Sequence, residues 1–209
     1  LKLILSSEEL ERAERFHFEA DWQRSIIGRG CLRLLLGKIL NLPANSLRFE
    51  YEELGRPRLI PIQEKGLRFN VSHSGDLVLI AITKGRAVGV DVERIRADLD
   101  MDGLAARFFS TNERIGLASL TGPEKYEAFF TCWTRKEAYL KARGNGLSMP
   151  LDQFDVSVFP DQDARLLKTM HDPGEAERWT LQPVGVPAGY AATVAAAGSD
   201  WKLQCQDWP

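Results

Sequence analysis

The segment Val88–Glu93 constrains the fold more than any other part of the chain. Its valines alternate with a glycine and two acids, and this period of two predicts a β-strand with one apolar and one acidic face. On that strand Asp91 and Glu93 point the same way, about 7 Å apart. Two carboxylates with no basic residue between them repel each other unless a cation joins them, and oxygen ligands suit a hard ion such as Mg²⁺. The alternative is a solvated strand face with Arg94 and Arg96 as partners.

Helical and strand patterns follow one another twice along the chain. The helical stretches are 6–41, 104–120 and 123–143, and the strand stretches are 47–95 and the region beyond 151. The order helix, strands, helix, strands has no convincing residue-level repeat. It predicts the α+β class, with a domain boundary near 97–103.

Two interruptions are predicted within the strand region. Ser72–Gly75 is small and polar and indicates a break between strands, whereas Lys84–Arg86 is typical of a hairpin turn that leads into the acidic strand. His73 lies in the first interruption, a position suited to the mouth of a pocket. A lone loop histidine more often only satisfies hydrogen bonds, but when protonated it can bind an anionic oxygen.

The helix predicted over 123–143 carries a second group of charged residues. Glu137 and Lys141 are four residues apart and therefore lie on one helical face. An ordinary surface ion pair has the same spacing. Arg135 and Lys136 are expected to add positive charge. If Glu137 faces the two acids of the strand, three carboxylates share a cation, and Lys141 lies beside it ready for a phosphate.

Composition excludes several classes of protein. The 209 residues include 27 basic and 29 acidic ones, for a net charge of −2, so the basic excess usual in nucleic-acid-binding proteins is missing. The longest strongly apolar run, Leu77–Ile82, is far shorter than the roughly 20 residues of a membrane span, and no export leader is evident. The three scattered cysteines suit neither a disulfide framework nor a zinc site. We expect a cytoplasmic protein without nucleic-acid or membrane partners.

Five motifs, taken in order, resemble those of the 4′-phosphopantetheinyl transferases. They are Gly55–Pro57, Phe69–Ser74, Gly89–Glu93, Arg107–Ser110 and Trp133–Lys141. The chain is more similar to the larger, single-chain type typified by surfactin synthetase activators than to the short carrier-protein synthases. Any one motif is weak, but five in this order are specific.

The resemblance implies a fold and an activity. The fold would be α+β, with two similar α/β halves, residues 1–98 and 99–209, that form an intramolecular pseudo-dimer and bind coenzyme A in the cleft between them. The activity would be that of a monomeric, Mg²⁺-dependent enzyme. It would transfer the 4′-phosphopantetheine group of coenzyme A to a serine of an apo acyl or peptidyl carrier protein and release adenosine 3′,5′-bisphosphate.

The resemblance also assigns roles to individual residues. Asp91, Glu93 and Glu137 match the metal-binding acids of the family. Lys141 matches its motif lysine, so Glu137 and Lys141 are the expected catalytic residues, Glu137 as the base for the serine proton. The positions that match coenzyme A contacts are Arg24, Arg56, Ser72, His73 and, for the phosphates, Lys141.

Basic and apolar residues that follow the acidic strand are predicted to dock the carrier, because carriers of this kind are acidic and helical. The arginines would steer the partner and the apolar residues would supply affinity. The predicted surface consists of Arg94, Arg96, Arg107, Arg114, Phe108, Phe109 and Leu117. The alternative is that the phenylalanines lie in the core and the arginines are solvated.

Two other functions are open at this point. A metal-dependent phosphodiesterase or nuclease could use the same acids, but a net charge of −2 supplies little of the field that a nuclease needs. A non-catalytic coenzyme A-binding regulatory module would not need Asp91, Glu93, Glu137 and Lys141 all intact. The presence of all four favours an active enzyme.

Overall fold

The computed structural model describes residues 1–52, 55–144 and 149–208. Its contacts divide the chain into two compact units, residues 1–68 and 69–209. This division falls earlier than the predicted boundary between residues 98 and 99, and that boundary, like the pseudo-dimer, stays a prediction. Both units mix helices and strands, which confirms the α+β class. No helix within the described ranges is long and apolar enough to cross a membrane.

Among its described residues, the first unit contains three α-helices and a two-stranded antiparallel sheet. Its elements are α1 (Ser7–Ala13), α2 (Glu19–Leu40), β1 (Phe49–Tyr51), β2 (Pro57–Leu59) and α3 (Pro61–Glu64). The helix predicted over 6–41 is therefore two helices. The first begins at a capping box, in which Ser6 and Glu9 satisfy each other's backbone N–H groups. The second ends at Asn41, whose left-handed backbone (φ 55°) closes the last turn.

A buried ion pair joins α1 and α2. The Nε of Arg33 donates to Glu9 Oε2 at 2.7 Å, and its Nη1 donates to the carbonyl oxygens of Ala44 and Leu47 at 2.9 and 3.1 Å. Removing one partner of such a pair leaves an uncompensated buried charge and costs about 3–5 kcal/mol. Glu9 and Arg33 therefore stabilise the unit, and their two charges neutralise each other in its interior.

The second unit packs a long helix against an antiparallel sheet. Its elements are β3 (Leu67–Ser74, which starts at the unit boundary), β4 (Leu77–Lys84), β5 (Val88–Arg94), α4 (Met101–Phe108), α5 (Thr111–Ala118), α6 (Gly122–Arg143), β6 (Phe154–Val156), β7 (Leu166–Thr169), β8 (Trp179–Pro183) and β9 (Tyr190–Ala197). The main sheet has the order β5-β9-β8 and is antiparallel, while β3 pairs with β4 and β6 with β7.

The first predicted interruption is placed too early in the chain, and the second is a turn without the pairing of a hairpin. The first strand continues through Ser74, and the chain turns only at Gly75, whose φ of 55° suits glycine. Ser72 and Ser74 do not break the strand because their side chains find partners on β5. The predicted turn is confirmed, since β4 ends at Lys84, β5 begins at Val88 and Gly85 has a φ of 76°. Its interpretation as a hairpin is wrong, because β4 pairs with β3 and β5 with β9. The glycine stop of α6 begins at Gly144, with a φ of 80°, and the rest of it (Asn145 and Gly146) lies outside the described residues.

The close approach of α6 to β5 depends on Gly89. A β-carbon at this position would overlap the carbonyl oxygen of Ala138 and the amide nitrogen of Ala142, both on the helix. The face of the sheet that carries Gly89 therefore touches the helix backbone. Across the strand pair, Thr193 lies opposite Asp91, and its hydroxyl is 3.2 Å from that of Thr134 on the helix. The acidic face of β5 is thus the face covered by α6.

We predict that Gly89→Ala lowers the Tm by on the order of 10 °C, because backbone atoms of α6 cannot rotate away from the new methyl group. Thermal unfolding followed by circular dichroism measures the shift. The matched control is Gly116→Ala on α5, where the methyl would meet Phe159 and Val158 at an ordinary 3.6 Å, so the Tm should stay or rise. An unchanged Tm for Gly89→Ala would contradict this account of the packing.

Candidate active site

Side chains of β3 bind the edge of β5 that faces away from β9. Alternate backbone N–H groups of β5 donate to three side-chain oxygens of β3. The pairs are Val90 with Asn70 Oδ1 (2.8 Å), Val92 with Ser72 Oγ (3.3 Å) and Arg94 with Ser74 Oγ (3.0 Å). Each pair is separated by the same number of residues, so the two strands run in the same direction. This side-chain ladder satisfies the strand edge next to the acids.

Asp91 is the most buried acid of the site, with 3% of its surface exposed. Its Oδ1 accepts from Ser72 Oγ at 2.9 Å and from Lys141 Nζ at 2.5 Å. Its Oδ2 is buried and has no hydrogen-bond partner among the residues that the structure describes. Loss of hydration raises the pKa of Asp91, although the Lys141 charge opposes the rise. One carboxylate oxygen is therefore available to a cation.

Glu93 lies two residues further along the same face and is half-buried. The Oγ of Ser74 donates to its Oε2 at 2.7 Å. Burial raises the pKa of Glu93, the hydrogen bond from Ser74 opposes that rise, and the negative charge of Asp91 adds to it. The two strand acids therefore feel each other's charge, as their spacing predicted.

Glu137 lies on the helix that covers this face. Burial is the main cause of its raised pKa, and the charges of Asp91 and Glu93 raise it further while Lys141 opposes them. The structure therefore brings Glu137 into the electrostatic field of both strand acids. Lys141 lies one helical turn further on and also hydrogen-bonds Ser72 Oγ at 3.1 Å. Three acids and one lysine thus share one partly buried site.

The three carboxylates are the type of ligand that a hard divalent cation prefers. In the structure, however, the positive charge beside Asp91 is the ammonium of Lys141. Within residues 1–52, 55–144 and 149–208, no three His, Cys, Asp or Glu side chains are gathered closely enough to hold a metal ion. The ammonium of Lys141 takes the place of a cation at Asp91 Oδ1. The buried Oδ2 without a partner, and the raised pKa values of all three acids, indicate that more positive charge would be stabilised here.

The predicted coenzyme A contacts are found in both compact units. In the first unit, Arg24 pairs with Asp21 at 2.6 Å, and burial lowers the pKa of Arg56. In the second, His73 is exposed and, by the alternation of a strand, points to the face of β3 opposite its serine neighbours. Ser72 is buried, and its hydroxyl is already hydrogen-bonded to Asp91 and Lys141.

The expectation that Arg135 and Lys136 add positive charge to the site is wrong. Lys136 is fully buried, pairs with Glu113 at 2.7 Å, and donates to the carbonyl oxygens of Leu151 and Phe154 at 2.9 and 2.6 Å. The adjacent arginine is buried as well and donates to carbonyl oxygens of the segment 157–162. Both cations hold the segment after α6 against the helix, because buried donors must find acceptors.

The predicted docking surface is partly buried, so that prediction is wrong for two of its residues. Phe109 is buried, with its ring stacked on that of Phe129 at a centroid distance of 5.1 Å, and Leu117 is buried as well. Phe108 is half-buried beneath the guanidinium of Arg107, 4.9 Å from the ring centroid. The four arginines Arg94, Arg96, Arg107 and Arg114 are exposed.

One exposed apolar residue of α5, Ile115, is not part of the predicted docking surface. Ile115 on α5 is 66% exposed. It follows the exposed Arg114 directly, and the buried Leu117 is two residues further on. The sequence could have predicted this exposure, because the helical period places Ile115 away from the buried face of α5. A large exposed aliphatic side chain among polar neighbours is typical of an interaction surface.

We predict that Glu137→Gln raises the Tm of the metal-free protein at neutral pH by on the order of 2 °C. An acid whose pKa is raised in the folded state stabilises the fold below its unfolded pKa. That stability is lost as the pH rises through the folded pKa. Ionised Glu137 therefore destabilises the fold at pH 7, and the advantage of the variant should shrink as the pH falls.

Thermal unfolding in a chelating buffer, at several pH values, measures this difference. The control is Glu127→Gln, an exposed position on the same helix, which should leave the Tm unchanged. A Tm for Glu137→Gln that lies below that of the unchanged protein at neutral pH would show that its charge is already well compensated in the folded state.

Two family models match the chain. The one described as "4'-phosphopantetheinyl transferase superfamily" matches residues 87–195. The one described as "4'-phosphopantetheinyl transferase, N-terminal" matches residues 1–85. The first match includes Asp91, Glu137 and Lys141.

Curated relatives align along most of the chain. The 4′-phosphopantetheinyl transferase HetI of Nostoc sp. is 39% identical over 203 residues, 97% of this chain and 82% of the relative. The 4′-phosphopantetheinyl transferase Sfp of Bacillus subtilis is 30% identical over 199 residues, 95% and 84% of the two chains. A solved holo-(acyl-carrier-protein) synthase of Bacillus anthracis in complex with CoA aligns at 24% identity and a TM-score of 0.43, over 54% of this chain and 96% of that one. The sequence similarity to the curated relatives extends over both compact units.

Proposed function

The chain belongs to the 4′-phosphopantetheinyl transferase superfamily and transfers phosphopantetheine from coenzyme A to a carrier protein, and we propose that Asp91, Glu93, Glu137 and Lys141 carry the reaction. The resemblance inferred from the five motifs is thereby confirmed. The alternatives, a phosphodiesterase and a non-catalytic coenzyme A-binding module, are not supported by the relatives.

One observation supports the assignment of the site more than any other. A buried carboxylate oxygen, Asp91 Oδ2, has no hydrogen-bond partner among the described residues, while Glu93 and Glu137 add negative charge around it. A buried acceptor without a partner is costly unless a ligand supplies one. The three carboxylates would hold Mg²⁺. When bound, that ion would supply Lewis-acid stabilisation of the charge on the pyrophosphate of coenzyme A.

Lys141 supplies a second positive charge that needs no proton transfer. Its Nζ contacts Asp91, and 29% of its side chain remains exposed to solvent. It can therefore bind a phosphate oxygen of the pyrophosphate while it stays next to the acids. The charge that develops on the departing adenosine 3′,5′-bisphosphate would be stabilised there.

Glu137 accepts the proton of the attacking hydroxyl in this proposal. The serine oxygen of the carrier bonds to the β-phosphorus of coenzyme A, and the bond from that phosphorus to the oxygen bridging the two phosphates breaks. The raised pKa of Glu137 makes its carboxylate a stronger base than an ordinary glutamate. Glu137 thus carries two proposed roles, cation ligand and proton acceptor.

The remaining contacts with coenzyme A also belong to the proposal. Arg24 and Arg56 would bind its phosphates through their guanidinium forks, and exposed His73 would bind an anionic oxygen. The hydroxyl of Ser72 is bonded to Asp91 and Lys141, so Ser72 would contact coenzyme A through its backbone.

The carrier protein would dock on the exposed basic residues of the second unit. Arg94 and Arg107 supply charge, and Phe108 and Ile115 replace the buried Phe109 as the apolar centre. The charge of Arg96 contributes to the electrostatics of Glu93, which links this surface to the acids.

Because all proposed catalytic groups come from one chain, we assign the activity to a monomer. The free thiols of Cys31, Cys132 and Cys205 are consistent with a cytoplasmic location.

We predict that Asp91→Ala lowers transfer by about 10³-fold, because the buried ligand is lost from the site. The chain is incubated with coenzyme A, Mg²⁺ and several apo carriers, and the mass of each intact carrier reports the added phosphopantetheine. The control is Asp98→Ala, an exposed acid outside the strand, which should retain full activity. Unchanged turnover of Asp91→Ala in Mg²⁺ would remove Asp91 from the metal site.

We predict that the double charge reversal Arg94→Glu, Arg107→Glu raises the KM for the carrier about tenfold or more and leaves coenzyme A binding unchanged, since exposed charges steer the encounter. Initial rates at varied carrier concentration and varied salt measure the effect. Arg165→Glu, at an exposed position on the far segment of the same unit, is the control. Equal carrier kinetics for the double variant would refute this docking surface.

A further inference from the structure

Each serine of β3 takes one oxygen of one acid of β5. The Oγ of Ser72 donates to Asp91 Oδ1 at 2.9 Å, and the Oγ of Ser74 donates to Glu93 Oε2 at 2.7 Å. Both serines also accept the backbone N–H of the residue that follows their acid. Two residues on one strand thus bind two acids on another in the same way.

This double bonding fixes the direction of each hydroxyl. A serine hydroxyl has one donor and two acceptor lone pairs. Because the backbone N–H of β5 occupies an acceptor position, the hydroxyl proton points to the neighbouring carboxylate. The carboxylate is then held in one orientation relative to its own strand. The serines therefore act on the acids and on the strand edge at once.

The arrangement leaves the second oxygen of Asp91 for another partner. Asp91 Oδ2 is buried without a hydrogen bond among the described residues, while its Oδ1 is fully engaged. Glu93 is held through its Oε2, which accepts from Ser74. Some residues do not bind a metal themselves but hydrogen-bond its ligands and orient them. Removal of such a residue commonly lowers metal affinity by about 10–100-fold.

We propose that Ser74 is a positioning residue that orients the Glu93 carboxylate for a divalent cation, as Ser72 does for Asp91. The inference rests on the proposed function, because it assumes that the strand acids bind the cation. Ser74 suits the test better than Ser72, because Ser72 also contacts Lys141 and is matched to coenzyme A.

A purely structural role for Ser74 makes a different prediction. Its acceptance of the Arg94 N–H at 3.0 Å stabilises the edge of β5, and loss of that bond alone would lower the Tm equally with and without the cation. A positioning role, in contrast, lowers cation affinity in the folded protein. The two roles are separated by measuring affinity directly, without turnover.

The experiment titrates the full chain with Mn²⁺ in the presence of saturating coenzyme A and in the absence of carrier protein, and follows free Mn²⁺ by its electron paramagnetic resonance signal. We predict that Ser74→Ala weakens Mn²⁺ binding by about tenfold. Ser74→Thr retains the hydroxyl and suits a strand, so it should bind Mn²⁺ nearly as tightly as the unchanged chain. Ser119→Ala removes an exposed hydroxyl that is bonded only to a helix carbonyl, and it should have no effect.

The outcomes distinguish the two proposals. Tight Mn²⁺ binding by the unchanged chain and an equal affinity for Ser74→Ala would overturn the positioning role and leave the proposed metal site intact. No Mn²⁺ binding by the unchanged chain, even with coenzyme A, would overturn the metal site and the positioning role together. Weakened binding by both Ser74 variants would also overturn it, because the hydroxyl would then not be the group that matters.

Discussion

The contact of Gly89 with the backbone of α6 determines how closely the helix and the acidic face of β5 approach each other in the second unit. Because Gly89 has no side chain, α6 comes down directly on the acidic face of β5. The first side chains beyond that contact are Asp91 on the strand and Lys141 on the helix, and they meet at 2.5 Å. A bulkier residue would lift the helix and separate the two groups. The packing of the core and the chemistry of the site therefore share one contact.

Two sets of buried polar groups keep that contact in register. On one side, Asn70, Ser72 and Ser74 satisfy the edge of β5. On the other, Arg135 and Lys136 tie α6 to the carbonyl oxygens of the following segment. Strand and helix are thus each anchored by hydrogen bonds of buried polar side chains. The acids are thus presented by elements that have little freedom to shift, as preorganised sites require.

Local periodicity was sufficient to predict which side chains share a face at the candidate site. The alternation in Val88–Glu93 places Asp91 and Glu93 on one side of the strand, and the spacing of Glu137 and Lys141 places both on one side of the helix, because these patterns are read within one element. Partners distant in sequence could not be predicted in this way. The serines at 72 and 74 looked like a break because their partner strand is another element, and Lys136 looked like a surface charge because its acceptors lie beyond the helix.

The lysine bound to Asp91 bears on how the acids of the site are accommodated when the chain folds. Three partly buried acids would oppose folding if no positive charge lay beside them. Here the chain contributes a cation of its own, attached to the helix that covers the acidic face of β5. The charge of Asp91 is therefore balanced by the chain's own fold, with no need for a bound ion.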